Sequence, residues 1–326
     1  MPGSEDRQAM AKIRDEATTR LDEAARAGWL YYVAGNTQDQ IAAKLGISRQ
    51  AAQRLVSHSV SAGLVRVRID HPIAACLERS EALRERFGLR YCEVVPSDRA
   101  SASTTLGVAE ACAAEMERVL KREAPTILAV GTGRTLRAAV EHLPPMAATQ
   151  HRIVSLTGNI APDGSASVYN VIYSMADQVK APHYPMPLPV VVSTPEERQL
   201  LHQQKVVERT LQLAARAEVT FVGVGEISAK APLVLDGFIT AEERVDLEGQ
   251  GAAGEIVGWV FDTSGRLIDC RFNERVASAP IPSIDRGEVI AVAMGPAKTT
   301  AIRAAATGGL ISGLITDEAT AERLLG

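Results

Sequence analysis

Two sets of residues in this 326-residue chain have the types and spacing to do chemistry. The first is Arg49, Gln50, Gln53 and Arg54, which follow Ser48 in ISRQAAQRL. On a helix they share one side, and their guanidinium and carboxamide groups match base edges and phosphates of a duplex. The second set lies in glycine-rich turns after apolar runs. AVGTGRTL holds Gly131, Thr132, Gly133, Arg134 and Thr135; VGVGE carries Gly223, Gly225 and Glu226; and VAMGPAK ends on Lys298. Backbone N–H groups at a helix start, joined by hydroxyls and a cation, cradle phosphate. A tight strand-to-helix turn explains the first loop as well as an anion site does. It has neither the G-x-x-x-x-G-K-[ST] spacing nor a third glycine, Leu136 standing where that glycine belongs. Lys298 is the stronger candidate, because a cation in a first helical turn opposes the helix dipole unless an anion compensates it. Glu255 and Asp262, in GEIVGWVFDTSG, flank an apolar run. Each suits sugar hydroxyls, and each equally suits the cap of a glycine turn.

The elements that must position the first set are two short helices in TQDQIAAKLGISRQAAQRLVSHSVSA, residues 37–62. Thr37 caps one and Ser48 the other, and Gly46 makes the sharp turn between them. Ile41, Ala42 and Leu45 face Ile47, Ala52 and Leu55. The pattern predicts a helix-turn-helix with residues 48–62 as the recognition helix. The rival is an amphipathic hairpin in an ordinary core, and charge separates the two. From Lys44 to Ile69 there are five basic residues and no acidic one, whereas a solvated face mixes signs. Thr37, Gln38, Lys44 and Ser48, with Arg66 and Arg68 on one side of an alternating strand or wing at 64–69, complete the expected DNA-contacting set. A helix through 4–34 precedes the motif. Its later part, through Trp29-Leu30-Tyr31-Tyr32, is expected to pack under the two motif helices, and its first part, 4–20, reads as a solvated tail or a subunit-pairing helix.

The second set needs a different scaffold. After a break at His71-Pro72 and a helix at 74–87, strand patterns at 91–95, 126–130, 152–156, 183–192, 219–224, 256–261, 288–294 and 314–316 alternate with helices. The helices are expected at 103–122, from 134 to about 142, and at 167–180, 196–217, 297–306 and 317–325. This predicts an α/β domain with a mainly parallel sheet, covered on both faces, that binds ligand at the C-terminal strand ends. Two domains follow: 1–70 for DNA and 71–326 for effector binding and oligomerisation. Charge divides the same way, with 10 Lys+Arg against 8 Asp+Glu in residues 1–70 and 25 against 31 in the remainder. The acidic part is unsuited to nucleic acid. Cys76, Cys92, Cys112 and Cys270 form no C-x-x-C pair and read as reduced structural thiols. With no signal core and no run of about 20 apolar residues, the expected setting is the cytoplasm, with no membrane partner. No cofactor, metal site or catalytic triad is expected.

Over essentially its whole length the chain resembles SorC-type (DeoR-like) sugar-binding transcriptional regulators. The resemblance is carried by WLYYVAGNTQDQIAAKLGISRQAAQRL, AVGTGRTL, GEIVGWVFDTSG and VIAVAMGPAKTTAIRAAATGGLISGLITDEATAERLL. It implies a helix-turn-helix joined to an effector domain related to phosphosugar isomerases and deaminases, acting as a homodimer or homotetramer on operator DNA. It also implies a sugar, polyol or sugar-phosphate effector. By motif the phosphate loop falls on Gly131–Thr135, the late lysine on Lys298, and a sugar-hydroxyl contact on Asp262. The alternative is an isomerase or deaminase-like enzyme with a DNA-binding head. Thr157-Gly158-Asn159, after the strand at 152–156, offers no lysine for an imine, which favours non-covalent binding.

Overall fold

A computed structural model describes residues 19–65, 73–97, 105–161, 164–165 and 171–326. Arg66 and Arg68, most of the expected wing, the segment at 4–18 and the first turn of the helix expected at 167–180 lie outside the described residues. The chain divides into two compact units, Met1–Pro72 and Ile73–Gly326.

In the first unit α1 covers residues 19–32, α2 Gln38–Leu45 and α3 Arg49–Ser61. Thr37 starts α2 through a capping box: its Oγ1 accepts from Gln40 N (3.3 Å) while Gln40 Oε1 accepts from Thr37 N (2.8 Å). Gly46, at φ 66°, ends α2 in a left-handed turn that a side chain would strain. Ser48 Oγ then caps α3 by accepting from Ala51 N (3.1 Å). The core is small: Ala27, Ile41, Ala42, Ala52 and Val56, with Leu30, Leu45, Ile47 and Leu55 at its margin. Two expectations change here. Val56 is a central contact of α3, while Ile47 and Leu55 are only half-buried. The aromatic cluster does not lie beneath the motif helices: Trp29 is 56% exposed, and Tyr31 and Tyr32 are also exposed. Trp29 stands two positions, about 200°, past buried Ala27, so both cannot face inward. What α1 does place against α3 is Gly28. A Cβ there would stand 2.5 Å from Ser59 Oγ, so this approach is open to glycine alone.

In the second unit the order is α4 (Ala74–Phe87), β1 (Tyr91–Val95), α5 (Thr105–Leu120), β2 (Ile127–Val130), α6 (Arg134–His142) and β3 (Arg152–Ile160). Then come α7 (Val171–Val179), β4 (His183–Pro189), α8 (Pro195–His202), α9 (Lys205–Ala214), β5 (Val219–Val222), α10 (Pro232–Leu235) and α11 (Ala241–Gly249). The chain finishes with β6 (Ala252–Ile256), β7 (Trp259–Asp262), α12 (Arg271–Arg275), β8 (Glu288–Val292), a 3-10 turn (Pro296–Lys298), α13 (Thr299–Thr307), β9 (Gly313–Asp317) and α14 (Glu318–Leu325). Seven strands form one parallel sheet in the order β1-β9-β8-β5-β2-β3-β4.

Successive strand residues enter opposite cores, which is why the strands read as unbroken apolar runs. Leu128, Val130, Phe221, Ile290 and Val292 pack with α5, α6 and α7. Ala129, Val222, Val289, Ala291 and Leu314 pack with α4, α9, α13 and α14. The expected strand at 256–261 is instead an antiparallel hairpin, β6–β7, turned at Val257 (φ 48°) and Gly258 (φ 90°). Two positive φ angles make the tight hairpin turn that an unbroken apolar run conceals. The helix expected at 196–217 is two helices, β3 runs on to Ile160, and α10, α11 and α12 are additions.

Candidate functional site

Arg49, Gln50, Gln53 and Arg54 are all exposed along one side of α3, as are Lys44 on α2 and the caps Thr37 and Ser48; Gln38 is half-buried. The Thr37 and Ser48 oxygens are engaged as caps, which fixes the two helix starts. Arg49 Nε lies 3.4 Å from Asp39 Oδ1, and Lys44 Nζ donates to Asn36 Oδ1 at 2.6 Å. Both contacts are exposed, so they orient these cations rather than stabilise the unit appreciably.

The glycine turns converge in the second unit because β8, β5 and β2 are neighbours and their C-terminal ends point the same way. Gly131 N donates to Phe221 O at 2.8 Å, and a Cβ on Gly223 would stand 3.3 Å from Thr132 O. Gly131 also lies under the hairpin turn, where a Cβ would stand 3.1 Å from Val257 Cγ1. Gly133, at φ 132°, starts α6 and supplies no side-chain cap, leaving the first-turn N–H groups beside Arg134 to other acceptors.

Glu255 is drawn into the same place by backbone pairing, with Gly225 N donating to Glu255 O (2.9 Å) and Glu255 N to Gly225 O (3.0 Å). Its carboxylate lies flat on Gly225: a Cβ there would stand 2.0 Å from Oε1. The other oxygen, Oε2, accepts from Gly258 N at 2.8 Å. Burial pushes the Glu255 carboxyl above its ordinary range, opposed by the Gly258 N–H and by Lys298. Burial likewise holds the Lys298 ammonium below its ordinary range; Glu255 and Glu226 pull it back up, and Arg134 reinforces the depression. Lys298, Glu255, Glu226 and Arg134 therefore share one electrostatic neighbourhood.

Asp236, after α10, joins them. Burial raises its carboxyl and Arg134 opposes the rise. No motif marks Asp236 and the sequence reading missed it; the one local signal that could have found it is the turn pair Asp236-Gly237. Asp262 is placed differently. It pairs with Ala252 at the end of the hairpin away from the turn, and its Oδ1 accepts from Ser264 N (2.8 Å), Ser264 Oγ (2.6 Å) and Arg266 N (3.0 Å). These bonds hold its carboxyl below the usual range, so Asp262 serves the turn as a cap.

A family model described as "Putative sugar-binding domain" matches residues 71–326. The erythritol catabolism regulatory protein EryD of Brucella abortus (strain 2308) is 35% identical over 303 residues, 93% of this chain and 96% of the relative. The chain belongs to the SorC family of sugar-binding transcriptional regulators. The transcriptional regulator LsrR of Enterobacter sp. (strain 638) is 30% identical over 323 residues, covering 95% of this chain and 94% of the relative. The crystal structure of the full-length sorbitol operon regulator SorC from Klebsiella pneumoniae superposes with a TM-score of 0.70 at 27% identity, over 94% of this chain and 99% of that one. EryD, LsrR and SorC are all transcriptional regulators, not enzymes. Among the described residues no helix is long and apolar enough to cross a membrane, and no group of three or more His, Cys, Asp or Glu is placed to hold a metal ion.

Proposed function

We propose that this SorC-family protein regulates a carbohydrate or polyol catabolic operon from the cytoplasm, and that a small phosphorylated polyol or sugar sets its operator affinity. The observation that carries the proposal is the convergence of Gly131–Arg134, Gly225, Glu226, Glu255 and Lys298 at the ends of three adjacent strands. In this reading residues 1–70 bind DNA and residues 71–326 hold the effector and the oligomer interface. The first turn of α6, with Thr132, Thr135, Arg134 and Lys298, receives the phosphate. Glu255, Glu226 and Asp236 accept bonds from hydroxyls. The relative EryD is named for erythritol catabolism, so four-carbon polyols and their phosphates come first among effectors to try.

On the DNA side Arg49, Gln50, Gln53 and Arg54 read bases, while Lys44, Arg66 and Arg68 supply salt-dependent backbone affinity. Paired recognition helices of a homodimer or homotetramer suit a palindromic operator. An effector changes occupancy only so far as it binds one arrangement of the protein better than another. Fluorescence anisotropy on the protein's own promoter, titrated with erythritol, erythritol phosphates, and other sugars and polyols with and without phosphate, tests the proposal. The expected result is a shift in operator affinity with one phosphorylated compound, abolished by Lys298→Ala. A protein that ignores its promoter refutes the regulator reading, and a response restricted to an unphosphorylated polyol refutes the phosphate site alone.

A further inference from the structure

Lys298 sits on a turn that the effector site does not hold by itself. Gly295, at φ 107°, opens the 3-10 turn with no side-chain cap, and Pro296 brings no N–H. The Gly295 N–H donates instead to Thr320 Oγ1, 2.8 Å away in the first turn of α14. Thr320 is fully buried, and its own N–H donates to Asp317 Oδ1 at 3.0 Å.

Asp317, the last residue of β9, is only 3% exposed and carries the network onward. Capping α14 needs one of its oxygens; the second, Oδ2, accepts from Ser97 Oγ at 2.8 Å. Ser97 Oγ in turn accepts from Ala319 N (2.9 Å), and Ser97 N donates to Glu318 Oε2 (3.2 Å). Glu318 Oε1 lies 3.5 Å from Arg79 Nη1 on α4. Arg79 also holds Glu322 Oε1 (2.7 Å) and donates to Ala75 O (2.9 Å) in the first turn of that helix. Hydrogen bonds, with the Glu318–Arg79 ion pair as the last link, connect the lysine turn to α4, the first helix after the division between the two units at residue 72. Thr320 and Asp317, at the buried end, have few alternative partners, so displacing one disturbs the other, and the half-buried Ser97, Glu318 and Arg79 continue the chain toward the surface.

We propose that Thr320, held by Asp317, is the positioning residue of the effector lysine turn, and that the Ser97–Glu318–Arg79 links carry the state of that turn to α4. The proposal deepens the effector-site reading above and rests on it for the role of Lys298. Its test needs neither DNA nor effector, so failure of the regulatory reading and failure of this linkage are told apart.

The measurement is hydrogen–deuterium exchange of the full chain. Thr320→Val removes the acceptor of the Gly295 N–H at nearly constant volume. Exchange in residues 293–299 is expected to rise at least tenfold and in residues 74–80 at least threefold, and Thr320→Ser returns both to within twofold of the unaltered protein. Ser97→Ala, which lies outside α14, cuts the chain at its middle and speeds both segments at least threefold. In the double variant the two effects at 74–80 are less than additive, as coupled sites require. The positioning role is overturned if Thr320→Val leaves 293–299 unchanged. The linkage is overturned if residues 74–80 keep their exchange rate in Thr320→Val, or if Ser97→Ala loosens only its own loop. Should Thr320→Val unfold α14, visible as lost protection through 321–325, the Ser97→Ala result decides alone.

Discussion

Replacing Gly225 with alanine sets the sharpest test of the proposed effector site. The added Cβ would stand 2.0 Å from Glu255 Oε1 and 2.8 Å from its Cδ and Cγ. Carbon and oxygen need about 3 Å, so the carboxylate must move by about 1 Å. Backbone retreat is blocked, because the two residues are tied by a reciprocal pair of hydrogen bonds at 2.9 and 3.0 Å. The side chain must then leave its rotamer, at about 0.5–1.5 kcal/mol, and release the Gly258 N–H, a charge-assisted bond worth about 1.5–3 kcal/mol. Unfolding by urea should therefore show a loss of about 2–4 kcal/mol. Anisotropy should show effector potency reduced about 10- to 100-fold, equivalent to roughly 1.4–2.7 kcal/mol, with operator affinity in its absence within about threefold of the unaltered protein. The double variant Gly225→Ala/Glu255→Ala removes the clash and should recover at least about 1 kcal/mol of stability while the effector response stays lost. An unchanged effector response in Gly225→Ala would refute the assignment of Glu255. A double variant less stable than Gly225→Ala alone would refute the steric argument.

Charge and pH give three further expectations. The folded-state Glu255 carboxyl is raised above its ordinary 4.5, so the stabilisation it confers is fully present below that value and lost as pH rises through the raised one. Glu255→Gln should thus raise the melting midpoint at neutral pH, with the gain shrinking below pH 4.5; a constant gain across that range would count against the buried charge as its cause. Lys298 has its folded value lowered from 10.5, so its buried cation is a cost below the lowered value that disappears above 10.5. Lys298→Met should melt higher at neutral pH and lose its response to phosphorylated effectors only, checked by scanning calorimetry and the anisotropy panel. On α3, Arg54→Ala should relax preference at one base position of the operator in a randomised-site selection, by about 1–3 kcal/mol of discrimination; an even loss of affinity across all sequences would place Arg54 on the phosphates instead.

Much of this was legible because it depends on local rules. Thr37, Gly46 and Ser48 mark helix ends through chemistry confined to four residues, and each does what its type predicts. The strands of the parallel sheet were legible as apolar runs, since burial on both faces leaves no alternation to misread. What escaped depends on partners far away in the chain. The Val257–Gly258 turn lacks the Asn-Gly or Asp-Gly signature, and a β-branched residue at φ 48° is tolerated only because Val257 is buried over Gly131. Trp29, Tyr31 and Tyr32 suggested a core from hydrophobicity alone, but four consecutive helical residues cannot share a face. Asp317 and Ser97, 220 residues apart, carry no pattern that links them before the sheet brings β1 beside β9.

The turns proposed to hold the effector lie between residues 131 and 298, and the strand order β8-β5-β2 is what makes them one place. Their electrostatics then constrain the occupant. The neighbourhood holds Arg134 and Lys298 against Glu226, Asp236 and Glu255, and burial disfavours the charged forms of Lys298, Asp236 and Glu255. A ligand with only an anionic group would favour the Lys298 cation and repel the three acids, while a ligand with only hydroxyls would add nothing to offset the desolvation of that cation. A molecule with a phosphate at one end and hydroxyls along the other answers both: phosphate favours the charged form of Lys298, and hydroxyl donors favour the charged form of Glu255. Effector affinity should therefore fall both as pH drops through the raised Glu255 titration and as it rises through the lowered Lys298 titration, whereas Glu255→Gln should keep only the loss on the basic side; an unchanged acid-side loss in Glu255→Gln would refute the role of that carboxylate.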